Sequence, residues 1–411
     1  LGNLYAMHWP FKQHTTSRNV KLLPYHDQLK ARGACFGQSA AYERPMWYAL
    51  SGKDTHYKYS YGYQNWYESA KFETINARKN VALFELSPFA KFELSGEKTH
   101  SSLQYICSNN IKNEVGAVTY TQMLNSKGGI EADLTVTCID KNKFRIVTGS
   151  SVRSHDKKHI LKYLENSVNF KDITDDYACL GIFGPKSRNL VSKVFGQYFS
   201  NDDFKFGTGK YIQLNEIQMW FQRISYVGEL GWEIYIPIEK SKEIYEAIVS
   251  EEKEFKLVHA GAHSMDIMRM EKGYLHWGHD ISPAENPYEA NLGFATKLNK
   301  KEDFVGKNYL IKEKGISRKK LVMFTINDAE PGNPLALHDE PIFLENKIVG
   351  ESTSGNYSFF YDKSMVFGYI TLKVDINKHC DKFEIEIAKK RYKLNLNKKP
   401  LHDPENKFLK M

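Results

Sequence analysis

No stretch of about 18 consecutive apolar residues occurs in this sequence, so no membrane-spanning helix is expected. The N-terminus lacks the basic patch and apolar run of a secretory signal. It also lacks an initiator methionine, and Leu1 reads as the result of processing or as the start of a fragment. The pattern G-x-G-x-x-G is missing, which removes the usual signature of an FAD or NAD fold carried by the chain itself. Cysteines number five, and Cys35, Cys107, Cys138, Cys179 and Cys380 never form a C-x-x-C pair. Such a scattered, odd set argues for free thiols in a reducing compartment and against zinc. There is no internal repeat and no low-complexity tract.

What is present suits folded domains. The chain has 411 residues, 41% hydrophobic and 13% aromatic, which is too long for one ordinary core. The net charge is +8, but the basic runs are short: Lys157-Lys158, Arg318-Lys319-Lys320 and Lys389-Lys390-Arg391. They read as solvated faces rather than a nucleic-acid stripe. A mild positive field still suits an anionic substrate.

Residues 1–60 are aromatic-rich and weakly periodic, with one short helix at 25–31, and need a larger body to pack on. Helices are expected at 66–80, 96–108, 155–167, 184–195, 241–252 and 260–272. The first of these would turn Trp66, Ala70, Ile75 and Ala77 inward. Strands are expected at 84–94, 118–124, 130–136, 144–148, 177–183, 218–225 and 231–236. A Lys-rich passage with a helix at 307–314 follows. Beyond 320, five short strands separated by turns predict an all-β barrel or roll, with a boundary near 315. Strand pairs dominate the connections, so the class is α+β rather than a doubly wound sheet.

Chemistry centres on residues 116–136. Asn125-Ser-Lys-Gly-Gly129 marks a hairpin turn between two β-branched strands. Asp133 sits in the return strand, where an acid is disfavoured by propensity and burial. It either faces solvent or is aimed into a cleft to bind or move a proton. Glu229, between Gly228 and Gly231, is a turn acid. Arg269 and Glu271 are two apart on a helix and cannot share a face. His276, His279 and Asp280 lack a third spaced ligand, so no metal is expected. His155-Asp156 reads as helix capping rather than a catalytic pair.

Several motifs resemble the aminomethyltransferase family, which includes the glycine-cleavage T-protein. The hairpin Tyr120-Thr-Gln-Met-Leu-Asn-Ser-Lys-Gly-Gly-Ile-Glu-Ala-Asp-Leu-Thr-Val136 is similar to its active-site hairpin. Asn80-Val-Ala-Leu-Phe-Glu-Leu-Ser-Pro-Phe-Ala-Lys-Phe92 resembles its opening step. Ser225-Tyr-Val-Gly-Glu-Leu-Gly-Trp-Glu233 resembles Y-T-G-E-x-G-W/Y-E. Asp266-Ile-Met-Arg-Met-Glu-Lys-Gly-Tyr-Leu-His-Trp-Gly-His-Asp280 resembles D-S-x-R-x-E-K-G-Y-x-x-W-G-x-D. Val349-Gly350 and Thr353-Ser-Gly355 resemble V-G-x-x-T-S-G. Residues 1–10, Tyr25-His-Asp-Gln-Leu-Lys30, Gly33-Ala-Cys-Phe-Gly37 and Glu43-Arg-Pro-Met-Trp47 are similar to the segment joining the flavin and folate halves of dimethylglycine and sarcosine dehydrogenases.

The resemblance implies a multi-domain T-protein-like cloverleaf around a central folate site. Its parts would be a joining segment at 1–60, a folate-binding domain at 61–314 and a C-terminal β-barrel at 315–411. It implies capture of the one-carbon unit of an oxidised N-methyl amine as 5,10-methylenetetrahydrofolate. Asp133 would be catalytic, and Tyr120, Glu229, Arg269 and Thr148 would bind folate, Glu229 through the pterin ring. FAD would belong to a missing or partner oxidase domain. A bacterial cytoplasm, or else a mitochondrial matrix, is the expected setting. Two departures stand out: Met265 replaces an arginine often found directly before the aspartate that is Asp266 here, and Thr148 or Gly149 replaces an asparagine. The alternatives are a stand-alone aminomethyltransferase with a lipoyl carrier, a demethylase of a sulfonium donor, and a non-catalytic folate sensor. The sensors carry K-G-C-Y, where this chain has Lys272-Gly-Tyr274.

Overall fold

The computed structural model describes residues 6–313 and 317–411. The first five residues of the opening motif, the expected boundary at 315 and the last residue of the expected helix at 307–314 lie outside them. Among the described residues, no helix is long and apolar enough to cross a membrane. All five cysteines are free.

Among the described residues, four β assemblies make up the body. The first is a five-stranded antiparallel sheet in the order Val118–Leu124, Ile130–Asp140, Lys143–Thr148, Ala90–Ser95, Asn169–Asp172. The second has six strands in the order Gly209–Leu214, Ile217–Gln222, Gly231–Pro237, Tyr177–Phe183, Val81–Glu85, Leu257–Ala260, with only the last pair parallel. The third is a closed six-stranded barrel: Lys319–Ile326, Lys363–Thr371, Lys347–Ser358, Pro341–Leu344, Phe383–Ile387 and Lys390–Asn397. The fourth is the two-stranded hairpin Ala34–Ser39 with Tyr42–Tyr48. The class is α+β, and the barrel stands where the strand-and-turn texture predicts it.

Three differences from the sequence reading have physical causes. The strand region 84–94 is two strands, Val81–Glu85 and Ala90–Ser95, in different sheets. Residues 86–89 turn the chain between them, and apolar continuity hid the break. The hairpin at 34–48 lies within the segment read as irregular, because Pro45 and a register shift at Cys35 and Phe36 spoil its alternation. The strand Lys390–Asn397 takes in most of a basic run; it closes the barrel by pairing with Lys319–Ile326.

The helix Ala262–Lys272 is the central pillar. It packs against the helix Tyr67–Lys79, the strand Tyr42–Tyr48 and the barrel strand Lys347–Ser358. Gly261 precedes it because a Cβ there would come within 2.1 Å of the Met46 carbonyl oxygen. Gly273 ends it in the left-handed region at φ +77°. The helix Tyr67–Lys79 buries Ala70 and Ala77 as expected, but Ile75 is only half-buried. Glu73 and Arg78 occupy the buried face as well. Glu73 accepts from the Tyr48 and Gly261 amides at 2.7 and 2.9 Å, and so ties hairpin and pillar together.

Candidate functional site

The sheets and the barrel enclose a central cavity of about 1370 Å³. Asp133 lies on its wall. In the strand Ile130–Asp140, Ala132 and Leu134 turn into a hydrophobic core, so the alternation sends Asp133 the other way. The turn that sets this register is held by the Asn125 side chain, whose Oδ1 accepts from the Lys127 and Gly129 amides at 2.9 and 3.0 Å. Gly128 supplies the positive φ of +74°. Asp133 Oδ1 accepts from Gln122 Nε2 at 2.8 Å. Burial pushes its carboxyl up to about 6, against the pull of hydrogen bonding from Gln122 and Tyr120. Tyr120 also lines the cavity, with its ring 6.1 Å from that of Phe294.

Thr148 reaches the wall too, but its hydroxyl donates to Asp156 Oδ2 at 2.5 Å. The expected capping role of His155-Asp156 is not what the helix Arg153–Tyr163 shows. Val152 is its N-cap and no side chain caps it. Instead His155 Nδ1 lies 2.9 Å from Asp156 Oδ1, and Nε2 lies 3.1 Å from Glu131. The buried Asp156 thus anchors the end of the strand Lys143–Thr148.

Glu229 does not reach the cavity. It is 2% exposed, and its Oε1 accepts from Arg78 Nη1 at 2.9 Å and lies 2.9 Å from His402 Nε2. Arg78 is shared with Glu271, which also accepts from the Ser358 hydroxyl at 2.6 Å. Glu229 is therefore part of a buried ionic cluster joining helix, sheet and C-terminal segment. An acid so enclosed cannot meet a ring in the cavity without breaking that cluster. The acid that does line the cavity is Glu233, four residues on. In the strand Gly231–Pro237, Trp232 and Ile234 enter one core, while Glu233 and Tyr235 share the opposite face. The Tyr235 hydroxyl donates to Glu233 Oε2 at 2.5 Å, and burial pushes the Glu233 carboxyl up to about 7. Strict alternation was the signal that could have selected it over the turn acid.

Arg269 lines the cavity, yet its guanidinium is committed. It donates to Asp266 at 2.8 Å, Asp280 at 2.6 Å, the Tyr274 carbonyl at 3.2 Å and the Ser354 hydroxyl at 2.9 Å. That arrangement clamps the pillar to the barrel. His276 and His279 also face the cavity, ring centres 4.6 Å apart. Burial pushes His276 down to about 4. Among the described residues no group of His, Cys, Asp and Glu is arranged to hold a metal.

With this geometry in place, comparison with known proteins is decisive for the family. Residues 25–300 match the GCVT N-terminal domain, and residues 319–403 match the glycine cleavage T-protein C-terminal barrel domain. The chain belongs to the GCVT aminomethyltransferase family. Within that family's wider circle it is 34% identical to the 4-methylaminobutanoate oxidase (formaldehyde-forming) of Paenarthrobacter nicotinovorans, over 100% of this chain and 49% of that protein. It is 35% identical to the mitochondrial dimethylglycine dehydrogenase of Homo sapiens, over 89% of this chain and 42% of that protein. An aminomethyltransferase of Halothermothrix orenii is 32% identical over 74% of this chain and 84% of its own length. The chain thus spans about half the length of the two larger relatives. The crystal structure of aminomethyltransferase T from Bartonella henselae superimposes with a TM-score of 0.80 over 94% of this chain and 99% of that chain. At 21% identity that likeness shows the fold.

Proposed function

We propose that the chain binds tetrahydrofolate in the central cavity and serves as the one-carbon-accepting half of an N-methyl amine oxidase or dehydrogenase. The observation that carries this reading is the pair of cavity acids, Asp133 and Glu233, presented from two different sheets. The residues present fit the group. A pterin offers adjacent N–H donors, and Glu233 offers an acceptor held in orientation by Tyr235. Among the described residues no donor reaches Glu233 Oε1. The cavity volume exceeds the ~300–1,000 Å³ of ordinary ligand pockets, which leaves room for a folate beside a small amine-derived partner.

Tetrahydrofolate would supply the two nitrogens that bond to the iminium carbon, giving 5,10-methylenetetrahydrofolate as the donor's C–N bond breaks and the demethylated amine and one proton are released. Glu233 holds the pterin edge, and Tyr120 borders the same space. Asp133, with a carboxyl near 6, is ionised at neutral pH and basic enough to accept the proton lost from the attacking amine. Gln122 keeps that carboxylate oriented. An iminium carbon is already electrophilic, so positioning supplies most of the acceleration. The N-methyl amine oxidation belongs to the relatives' names, and the flavin that would perform it lies outside this chain.

The test is titration of the purified chain with tetrahydrofolate, wild type beside Glu233→Gln. Micromolar binding that is weakened in the variant supports the reading, and absence of binding by wild type counts against it.

A further inference from the structure

Arg44 is a cation on the cavity wall without an anion. It stands in the strand Tyr42–Tyr48, beside the pillar helix, and its side chain lines the cavity. Its Nη2 points at the Met265 sulfur, 3.8 Å away, and its guanidinium carbon lies 5.7 Å from the Phe89 ring centre. Its Nε is sealed from solvent and has no partner. Glu85, Tyr226 and Asp266 feel its charge, yet none of them accepts a hydrogen bond from it. Among the described residues no carboxylate or carbonyl oxygen does so. The other shielded cations of the wall are committed: Arg269 to Asp266 and Asp280, Lys272 to Asp403, and Lys320 to the Tyr288 carbonyl.

A thioether is a weak acceptor, and a guanidinium cannot shed its proton to escape burial. Left alone, such a charge destabilises the fold. An anion entering the cavity would relieve it, and the planar fork of donors matches a carboxylate. One guanidinium among the wall acids Asp133, Glu233, Asp266 and Asp403 suits a single negative charge better than a phosphate dianion. We propose that Arg44 is the anion-binding group of the cavity and takes a carboxylate of the bound ligand. This rests on the folate reading for one source, the glutamate tail of a folate. The other source is the carboxylate of an N-methyl amino acid donor.

Binding of tetrahydrofolate, tetrahydropteroate (which lacks the glutamate) and N,N-dimethylglycine to wild type, Arg44→Gln and Arg44→Lys tests it. Loss of about 10- to 100-fold in tetrahydrofolate affinity in Arg44→Gln, with tetrahydropteroate unchanged and partial recovery in Arg44→Lys, assigns the glutamate tail. Loss confined to dimethylglycine assigns the donor carboxylate. Unchanged binding of all three, or equal loss of all three, overturns the proposal. Failure of wild type to bind either pterin ligand defeats the folate reading alone, provided dimethylglycine binding is still lost in Arg44→Gln. Failure of wild type to bind any of the three overturns both. Thermal melting gives a second readout: Arg44→Gln is expected to melt no lower than wild type, whereas a structural arginine would leave a destabilised variant.

Discussion

Gln122 and Asp133 face each other across the hairpin as register partners, and the amide of the first donates to the carboxylate of the second at 2.8 Å. The strand pairing therefore does more than display an acid. It delivers a fixed donor to that acid and sets which of its oxygens is occupied. Gln122 is itself fully buried, so its orientation is imposed by packing.

Asp133→Asn is expected to lower one-carbon transfer by about 100-fold or more, the usual contribution of a positioned proton acceptor. Wild-type transfer should rise as pH climbs through about 6, where the Asp133 carboxyl ionises, and then level off. The variant should lose that inflection. A pH–rate profile of both proteins decides the matter, and an unchanged profile in the variant would remove Asp133 from the mechanism.

Gln122→Ala deletes a donor that favours the charged carboxylate. The acid should then ionise at a higher pH. The expected result is a pH–rate inflection displaced upward from about 6, with the plateau rate lowered less than in Asp133→Asn. A displacement downward would mean that Gln122 acts in some other way.

The stability contributed by three buried acids should fall as pH rises from about 4 to 7. Asp133 near 6, and Glu233 and Glu73 near 7, all have carboxyls raised above their ordinary values by burial. For such groups the neutral form is the one the fold tolerates, so their stability is present below the ordinary carboxyl range and lost through the raised one. Melting temperature measured across this window should therefore show the combined Asp133→Asn and Glu233→Gln variant gaining on wild type as pH rises.

The order of elements was legible because long β-branched runs and glycine-bounded turns are local signals. The hairpin at 118–136 and the strand Tyr177–Phe183 needed nothing from the rest of the chain. What was not legible depended on tertiary partners. Arg269 reads from sequence as a helix residue near a ligand, but its donors are taken by Asp280 and Ser354, which lie 11 and 85 residues away in sequence. Arg44 sits in a segment whose proline and register shift hid its strand. The buried acid Glu73 on the helix Tyr67–Lys79 broke the expected apolar face for the same reason: its amide partners come from other elements.

Glu229 and Glu233 give the sharpest contrast, because they share one motif and differ in what surrounds them. Glu229 is locked to Arg78 beside Glu271, with Arg78 fully buried. Arg78 keeps Glu271 when the Glu229 charge is removed, so the cost is that of a lost charge-assisted contact from Arg78 Nη1 in a buried site, about 1.5–3 kcal/mol. Glu229→Gln should therefore lower the melting temperature markedly, while the molecules still folded bind tetrahydrofolate as wild type does. Glu233 has one protein partner, Tyr235, and an oxygen turned to the cavity. Glu233→Gln should fold at least as well as wild type, because it removes a carboxylate whose ionisation burial opposes. Its folate affinity should drop by about 10- to 100-fold, the loss expected for a charge-assisted contact. Measuring melting and affinity on both variants separates the two roles. If Glu229→Gln lost affinity without losing stability, the turn acid rather than the strand acid would hold the pterin, and the cavity wall would have to rearrange to admit it.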